Sequence, residues 1–225
     1  MKTAEQLKSD VEQELRWEPS VQAEQIGVSV KNGVVELDGH VGSFYEKWVA
    51  ERAALRVANV KSIASEIVVD LSSTSARTDE DIALAVTNQL DWNFSLPDTI
   101  KVKVAKGWVF LQGSTEWQYQ REEAERVVMP LHGVKGITNE INIQPKVSAT
   151  GVKAKIEDAL KRDAQIDSDN ITVEAAGNIV TLRGRVHSWR EHEDAEHAAF
   201  DAPGVASVVN LIEITPGRAS TLPAQ

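Results

Sequence analysis

The sequence repeats one pattern three times, and this repetition constrains the fold more than any other feature. Gly39, Gly113 and Gly184 can be aligned so that apolar residues recur at fixed intervals on both sides of each glycine. The copies are 74 and 71 residues apart. Such a period is too long for a solenoid repeat and is typical of small domains in tandem.

Each copy has the pattern of a small α+β unit. In the first copy Leu7, Val11 and Leu15 recur every four residues, which predicts an amphipathic helix. Two short alternating runs follow, and Asn32-Gly33 between them is typical of a two-residue hairpin turn. A second helical stripe comes after the aligned glycine, and a last alternating run predicts a third strand.

The order α-β-β-α-β predicts an α+β fold with three tandem units. In each unit we expect a three-stranded mixed sheet that is covered on one face by two helices. The units are predicted at residues 1–71, 77–145 and 149–216. Residues 217–225 are predicted to form a flexible tail.

The aligned glycines are interpreted as structural. Gly39, Gly113 and Gly184 are each expected to end a strand, where unusual backbone angles or close packing exclude a side chain. Their spacing lacks the pattern of a phosphate-binding loop.

Thr115 and Gln118 have the spacing of a capping box and predict the start of the second unit's second helix.

Composition excludes several classes of function. The chain of 225 residues has no cysteine, so disulfides and thiolate chemistry are excluded. The net charge is −10 and no Lys/Arg cluster stands out, which argues against a nucleic-acid partner. The first residues show no apolar segment typical of a secretory signal. We therefore expect a cytoplasmic protein.

The segments that end in the aligned glycines resemble one known family. Residues 33–39, 107–113 and 178–184 are similar to the BON domain, named after bacterial osmotically induced and nodulation proteins. The resemblance covers nearly all of residues 3–216, and the third copy departs from it at residues 195–197. It implies non-enzymatic binding modules with phospholipid or membrane association and stress-related roles. It supplies no catalytic residues.

Two tryptophans follow the first helices of the first two copies. Trp17 and Trp92 occupy nearly equivalent positions, where the third copy has Arg162 or Asp163. A core position would be apolar in all three copies, so we expect partial exposure. Exposed tryptophans suit membrane interfaces and protein contacts, and the alternative is local packing over the helix end.

Two further pairs of apolar residues are each specific to one copy. Trp48 and Val49 stand where the other copies have pairs of acidic residues. Trp108 and Phe110 alternate with strand residues that are expected to face the helices, so they are predicted on the outer face of the sheet. We interpret both pairs as contacts between repeats or subunits, with an external ligand as the alternative.

The third copy carries the only pattern that suggests a metal. His192 and His197 flank Glu196, but the histidine spacing of five differs from the i, i+4 spacing of zinc-protease helices. His192 and Glu196 could still chelate a metal as a pair, and His197 is a further candidate ligand. A solvated acidic helix face is the favoured interpretation, and no metal or other cofactor is predicted.

The sequence thus predicts a non-enzymatic binding or scaffolding protein. The expected partner is a phospholipid membrane surface, engaged through the tryptophans, because three weak modules in tandem raise avidity. One alternative is a homo-oligomeric scaffold that assembles through Trp48 and the Trp108/Phe110 face. Another is a metal-dependent function on the histidine helix of the third unit.

Overall fold

The computed structural model describes residues 2–71, 77–146, 151–162 and 170–215. The predicted tail at residues 217–225 and Asp163 lie outside the described residues.

Each unit contains two helices and three strands in the predicted order. The first unit consists of α1 (Ala4–Trp17), β1 (Ile26–Lys31), β2 (Val34–Val41), α2 (Phe44–Arg56) and β3 (Ser62–Val69). The second consists of α3 (Asp79–Asp91), β4 (Lys101–Ala105), β5 (Trp108–Thr115), α4 (Gln118–Val128) and β6 (Gly136–Ile143). The third consists of α5 (Val152–Arg162), β7 (Ile171–Ala176), β8 (Ile179–Val186), α6 (Trp189–Phe200) and β9 (Ser207–Ile214).

The three sheets share one topology. In the first unit β2 lies in the centre, antiparallel to β1 and parallel to β3. Leu37 is opposite Val28 on one side and Ser65 on the other. The second and third units repeat this arrangement around β5 and β8. The mixed sheet predicted from the sequence is therefore confirmed.

The first helices form where the apolar stripe predicts them. Leu7, Val11 and Leu15 are all buried, and the same holds for the corresponding stripes of α3 and α5. Thr3 caps α1 by accepting a hydrogen bond from the Gln6 amide, while the Gln6 side chain accepts one from the Thr3 amide. This reciprocal pair satisfies two amide groups that the first turn leaves unpaired.

Each unit has its own hydrophobic core between its sheet and its helices. Val35 and Leu37 of β2 are fully buried, as are the equivalent residues of β5 and β8. Burying one such side chain contributes roughly 1.5–3 kcal/mol. Since each core is small, contacts between units are expected to add to the stability of the chain.

The aligned glycines do not end their strands, contrary to the prediction. Gly39, Gly113 and Gly184 lie inside β2, β5 and β8, with φ angles of +130°, +127° and +149°. A Cβ on any of them would overlap a backbone carbonyl oxygen just before the neighbouring antiparallel strand. The predicted exclusion of a side chain is correct, and its cause is this close approach of two backbones.

The second unit's second helix begins later than predicted. Thr115 remains in β5, because it pairs with Ile143 at the end of the parallel ladder. Trp117 precedes the helix instead, and the Gln120 side chain accepts a hydrogen bond from the Trp117 amide at 3.1 Å. The capping box predicted for Thr115 and Gln118 is therefore wrong.

Candidate functional site

The second helix of the third unit meets the second helices of the other two. Arg52 on α2 pairs with Glu193 on α6, and His197 on α6 lies 3.5 Å from Glu122 on α4. Arg52 and His197 are equivalent positions of the repeat, meaning that they follow their aligned glycines by the same interval. Glu193 and Glu122 are likewise equivalent. The same contact therefore recurs twice, from the first unit to the third and from the third to the second.

The junction between the second and first units is apolar. Phe44 on α2 packs against the core of the second unit. Val49 and Met129 are both 6% exposed, yet neither belongs to any of the three core clusters. Trp48 stands at the position that Glu122 and Glu193 occupy in the other two junctions. The departure of the first copy from the acidic pattern thus coincides with an apolar junction.

Trp48 is held by its own helix. Its ring is partly buried, with the Arg52 guanidinium 5.6 Å from the ring centroid and the Tyr45 ring stacked at 6.4 Å. Val49, beside it, is buried. Of the residues singled out in the sequence, Val49 therefore presents little surface to an external ligand.

Trp17 and Trp92 are exposed at the ends of the first helices. Trp17 is the last residue of α1 and is 84% exposed, and Trp92, which directly follows α3, is 81% exposed. Each lies two residues after the last buried residue of its helix. The third unit places Arg162 at this position, and it is also exposed. The exposure predicted for the two tryptophans is thus present in both copies.

A third aromatic side chain lies beside Trp92. Phe94, two residues further along the chain, is fully exposed. Phe94 was not predicted from the sequence, because the first copy has no aromatic residue in the corresponding loop. The short spacing between Trp92 and Phe94, directly after a helix, was the available signal.

The loop that carries Phe94 is anchored on both sides. The Asn93 side chain accepts hydrogen bonds from the Ser95 amide at 3.1 Å and the Ser95 hydroxyl at 2.6 Å. It also donates to Glu123 on α4 at 3.1 Å. Gln120 on α4 donates to the Ser95 carbonyl at 2.9 Å. Phe94 is therefore held outward by a loop with defined hydrogen bonds.

Carboxylates surround the exposed end of α1. Trp17 lines an open groove together with Asp10, Glu14 and Val57. Arg56 on α2 pairs with Glu14 at 3.0 Å and with Glu18 at 3.0 Å. The environment of Trp17 is thus acidic and partly neutralised. Such an environment gives anionic lipid no electrostatic advantage.

Trp108 and Phe110 lie on the outer face of the second sheet, as predicted. Trp108 is 44% exposed, and its indole N–H donates to the Thr138 hydroxyl at 2.8 Å. Its ring lies over Gly136, where a Cβ would come within 2.6 Å of the ring. The Lys103 ammonium lies 5.6 Å from the centroid of the Phe110 ring. Both aromatic rings therefore have partners within their own sheet.

The histidines of α6 face different partners. His192 stacks on Trp189 with 5.0 Å between ring centroids, and burial lowers the pKa of its imidazole, against an opposing effect of Glu196 and Glu193. His197 faces Glu122 of the second unit. Within the described residues, no group of three or more His, Cys, Asp or Glu side chains could hold a metal ion.

Glu196 takes part in a hydrogen-bond arrangement that recurs without histidine. Asn210 on β9 donates to the His192 carbonyl at 3.1 Å and to Glu196 at 3.2 Å. In the second unit Asn139 on β6 donates to the Arg121 carbonyl at 2.8 Å and to Glu125 at 3.2 Å. This arrangement joins the second helix to the third strand, so it gives Glu196 a structural role.

None of the helices in the described part of the chain has the length and the apolar character that crossing a membrane requires.

Comparison with protein families identifies the repeat. The family model of the BON domain matches residues 3–70, 78–145 and 148–216. The three matches coincide with the three α-β-β-α-β units.

Two curated relatives are similar to part of the chain. Osmotically-inducible protein Y of Escherichia coli (strain K12) is 29% identical over 119 residues, which span 49% of this chain and 59% of that protein. An uncharacterized protein in the gshII 5' region of Anaplasma centrale is 26% identical over 123 residues, which span 52% of this chain and 82% of that protein.

Solved structures show only a slight likeness. The C-terminal domain of CdsD, a structural protein of the Chlamydia trachomatis type III secretion system, matches with a TM-score of 0.27 and 16% identity, covering 96% of this chain and 100% of that one. The periplasmic domain of PrgH matches with a TM-score of 0.21 and 13% identity, covering 85% and 95%.

Proposed function

Because this chain belongs to the BON domain family, we propose that it is a non-enzymatic, stress-related protein that associates with the surface of phospholipid membranes. The observation that carries the proposal is the exposure of Trp17, Trp92 and Phe94 at the ends of the first helices. The similarity to an osmotically inducible protein supports the relation to stress.

The anchored loop around Phe94 favours insertion of Phe94 and Trp92 into the interface of a partner surface. Large aromatic side chains that remain exposed gain from transfer to an apolar or interfacial environment. Asn93 and Gln120 hold the loop in place, so little conformational entropy is lost when Phe94 and Trp92 enter an interface. Tryptophan in particular is enriched at the headgroup level of membranes.

The negative charge of the protein favours zwitterionic lipids over anionic ones. With a net charge of −10 and carboxylates beside Trp17, the chain is repelled by anionic headgroups. Zwitterionic membranes lack this repulsion. The proposed membrane contact is therefore aromatic and interfacial, and it does not depend on a basic patch.

Vesicle flotation tests this proposal. The full chain is mixed with zwitterionic phosphatidylcholine vesicles, or with vesicles that contain phosphatidylglycerol, and the floating fraction is measured. We expect co-flotation with zwitterionic vesicles and less with anionic ones. The triple variant Trp17→Ala, Trp92→Ala, Phe94→Ala is expected to lose it. Tyr119→Ala is the matched control, because Tyr119 is an exposed aromatic side chain that lies on α4 and in neither of the segments that carry Trp17, Trp92 and Phe94.

Two results would remove membrane association from consideration. One is the absence of flotation with every vesicle composition, and the other is equal flotation of the triple variant and the unchanged chain. Circular dichroism of the triple variant establishes that it is folded.

A second candidate function is self-association through the outer faces of the sheets. Trp108 on the second sheet and Ile179, Val209 and Leu211 on the third expose apolar surface. Light scattering over a range of concentrations compares the unchanged chain with Trp108→Glu. A rising mass in the unchanged chain and a constant monomer mass in the variant would support this function.

A further inference from the structure

A carboxylate closes the hairpin turn of the second unit. Asp79 begins α3, and its two oxygens accept hydrogen bonds from the backbone N–H groups of Lys106 at 2.7 Å and Gly107 at 2.8 Å. Both turn residues have positive φ, of 54° and 80°. Successive amides in such a turn point the same way and form a concave site for an anion. The turn of the second unit is thus a filled carboxylate site.

The first unit builds the same turn without the carboxylate. Asn32 and Gly33 have φ angles of 56° and 84°, close to those of Lys106 and Gly107. Ala4, the first residue of α1, stands where the second unit has Asp79. In the described part of the chain, the backbone N–H groups of Asn32 and Gly33 have no protein acceptor. The first unit therefore repeats the two amide donors of the turn, but it has no carboxylate to accept their hydrogen bonds.

A cavity of about 490 Å³ lies at this turn of the first unit. Lys61 lines it, and the aliphatic stem of Lys61 lies over Gly33, as that of Lys135 lies over Gly107. Among the described residues, the Lys61 ammonium has no ion-pair partner. Lys2 also lines the cavity and is paired with Asp10 at 2.6 Å.

The remaining lining suits an organic anion. Asn59 contributes an amide side chain where the second unit has a glycine at the equivalent position. Leu7 and Val30 contribute apolar surface on the inner side. The cavity thus combines a pair of amide donors, an unpaired cation and a wall for carbon atoms.

We propose that this cavity of the first unit binds a carboxylate group from another molecule. The two oxygens would accept hydrogen bonds from the amides of Asn32 and Gly33, as those of Asp79 do in the second unit, with Lys61 supplying the balancing charge. The side chain of Asp79 supplies within the second unit the carboxylate that the first unit would take from another molecule. The carboxylate could belong to a free organic acid or to an acidic side chain of a protein. This site shares no residue with the proposed membrane contact.

The test uses ¹H–¹⁵N NMR spectra of the full chain. Propionate represents a free organic acid, and N-acetylaspartate N-methylamide represents an acidic side chain. N-acetylasparagine N-methylamide and matched sodium chloride are the controls. We expect saturable shifts of the Asn32 and Gly33 amides with the carboxylates and not with the controls. The amide signals of Lys106 and Gly107 should not shift, because the Asp79 carboxylate already accepts hydrogen bonds from both groups.

Two variants make the test reciprocal. Ala4→Asp supplies the carboxylate within the chain and should weaken binding at Asn32 and Gly33 at least tenfold. Asp79→Ala should make the amides of Lys106 and Gly107 responsive. Tenfold tighter binding of the aspartate compound than of propionate would identify an acidic side chain as the source. Similar binding would identify a free organic acid.

The proposal is overturned if neither carboxylate shifts Asn32 and Gly33 beyond the chloride control. It is also overturned if Ala4→Asp binds as tightly as the unchanged chain. Because Ala4 lies on the surface and its variant removes no contact, this second outcome can be read even if Asp79→Ala unfolds.

Discussion

Arg52 of the first unit is paired with Glu193 of the third, although 141 residues separate them in the sequence. Each side chain is partly shielded from water, so the pair should contribute more than an exposed one. We expect Arg52→Ala and Glu193→Ala to be non-additive, with a coupling of about 0.5–1 kcal/mol in urea unfolding. The exposed pair Arg185–Glu213 is the control, for which a coupling of no more than about 0.2 kcal/mol is expected.

Burial makes Val49 sensitive to charge. Val49→Asp places in the first unit an acidic residue of the kind that the other two carry there, but at a buried position. We expect a loss of at least about 2 kcal/mol in the free energy of unfolding, because the carboxylate would have no partner. Val68→Asp, at an exposed strand position, should cost less than about 1 kcal/mol. Equal losses for the two variants in urea unfolding would contradict the burial of Val49.

Gly113 should not tolerate a side chain. Gly113→Ala would force a Cβ against the Thr99 carbonyl at a φ of +127°. The backbone conformation alone costs about 1–3 kcal/mol for a residue other than glycine, and the overlap adds to it. Gly42→Ala is the control, since its Cβ would meet only one atom, at 3.8 Å. Thermal unfolding of the two variants side by side would show the difference.

The imidazole of His192 should make stability depend on pH. Burial lowers its pKa below the ordinary value of 6.5, so the unfolded chain binds the proton more tightly. The folded state is therefore favoured above pH 6.5 and loses stability as the pH falls below that value. We expect His192→Gln to lose less stability than the unchanged chain between pH 7.5 and 5.5. Urea unfolding of both chains at these two pH values measures the difference, and equal losses would contradict the role of His192.

Local patterns in the sequence were sufficient to predict each unit. The stripes of Leu7, Val11 and Leu15 and the alternation around Val109 and Leu111 each depend on one core, and every copy repeats them. The strand order and the position of Gly39 within β2 depend on which backbones approach one another. Periodicity does not carry that information.

The contacts between units were harder to predict. Trp48 and Val49 stood out because they differ from their equivalents, but the residue of α2 that packs against the second unit is Phe44, which has no such signal. Phe44 and Met129 are apolar, and an apolar residue at either position is expected both in a core and in a junction, so the sequence does not distinguish the two. Asp79 and Ala4 differ at one position of the repeat, and only the hydrogen bonds of Asp79 give that difference a meaning.

The contacts among the second helices also bear on how many copies such a chain can contain. The Arg52–Glu193 pair joins the first unit to the third, the His197–Glu122 contact joins the third to the second, and Phe44 joins the first to the second. Because each unit contacts both of the others, none of the three keeps a free junction for a fourth. Duplication of one more unit would produce a domain without a place in the ring, and deletion of one would expose two junctions at once.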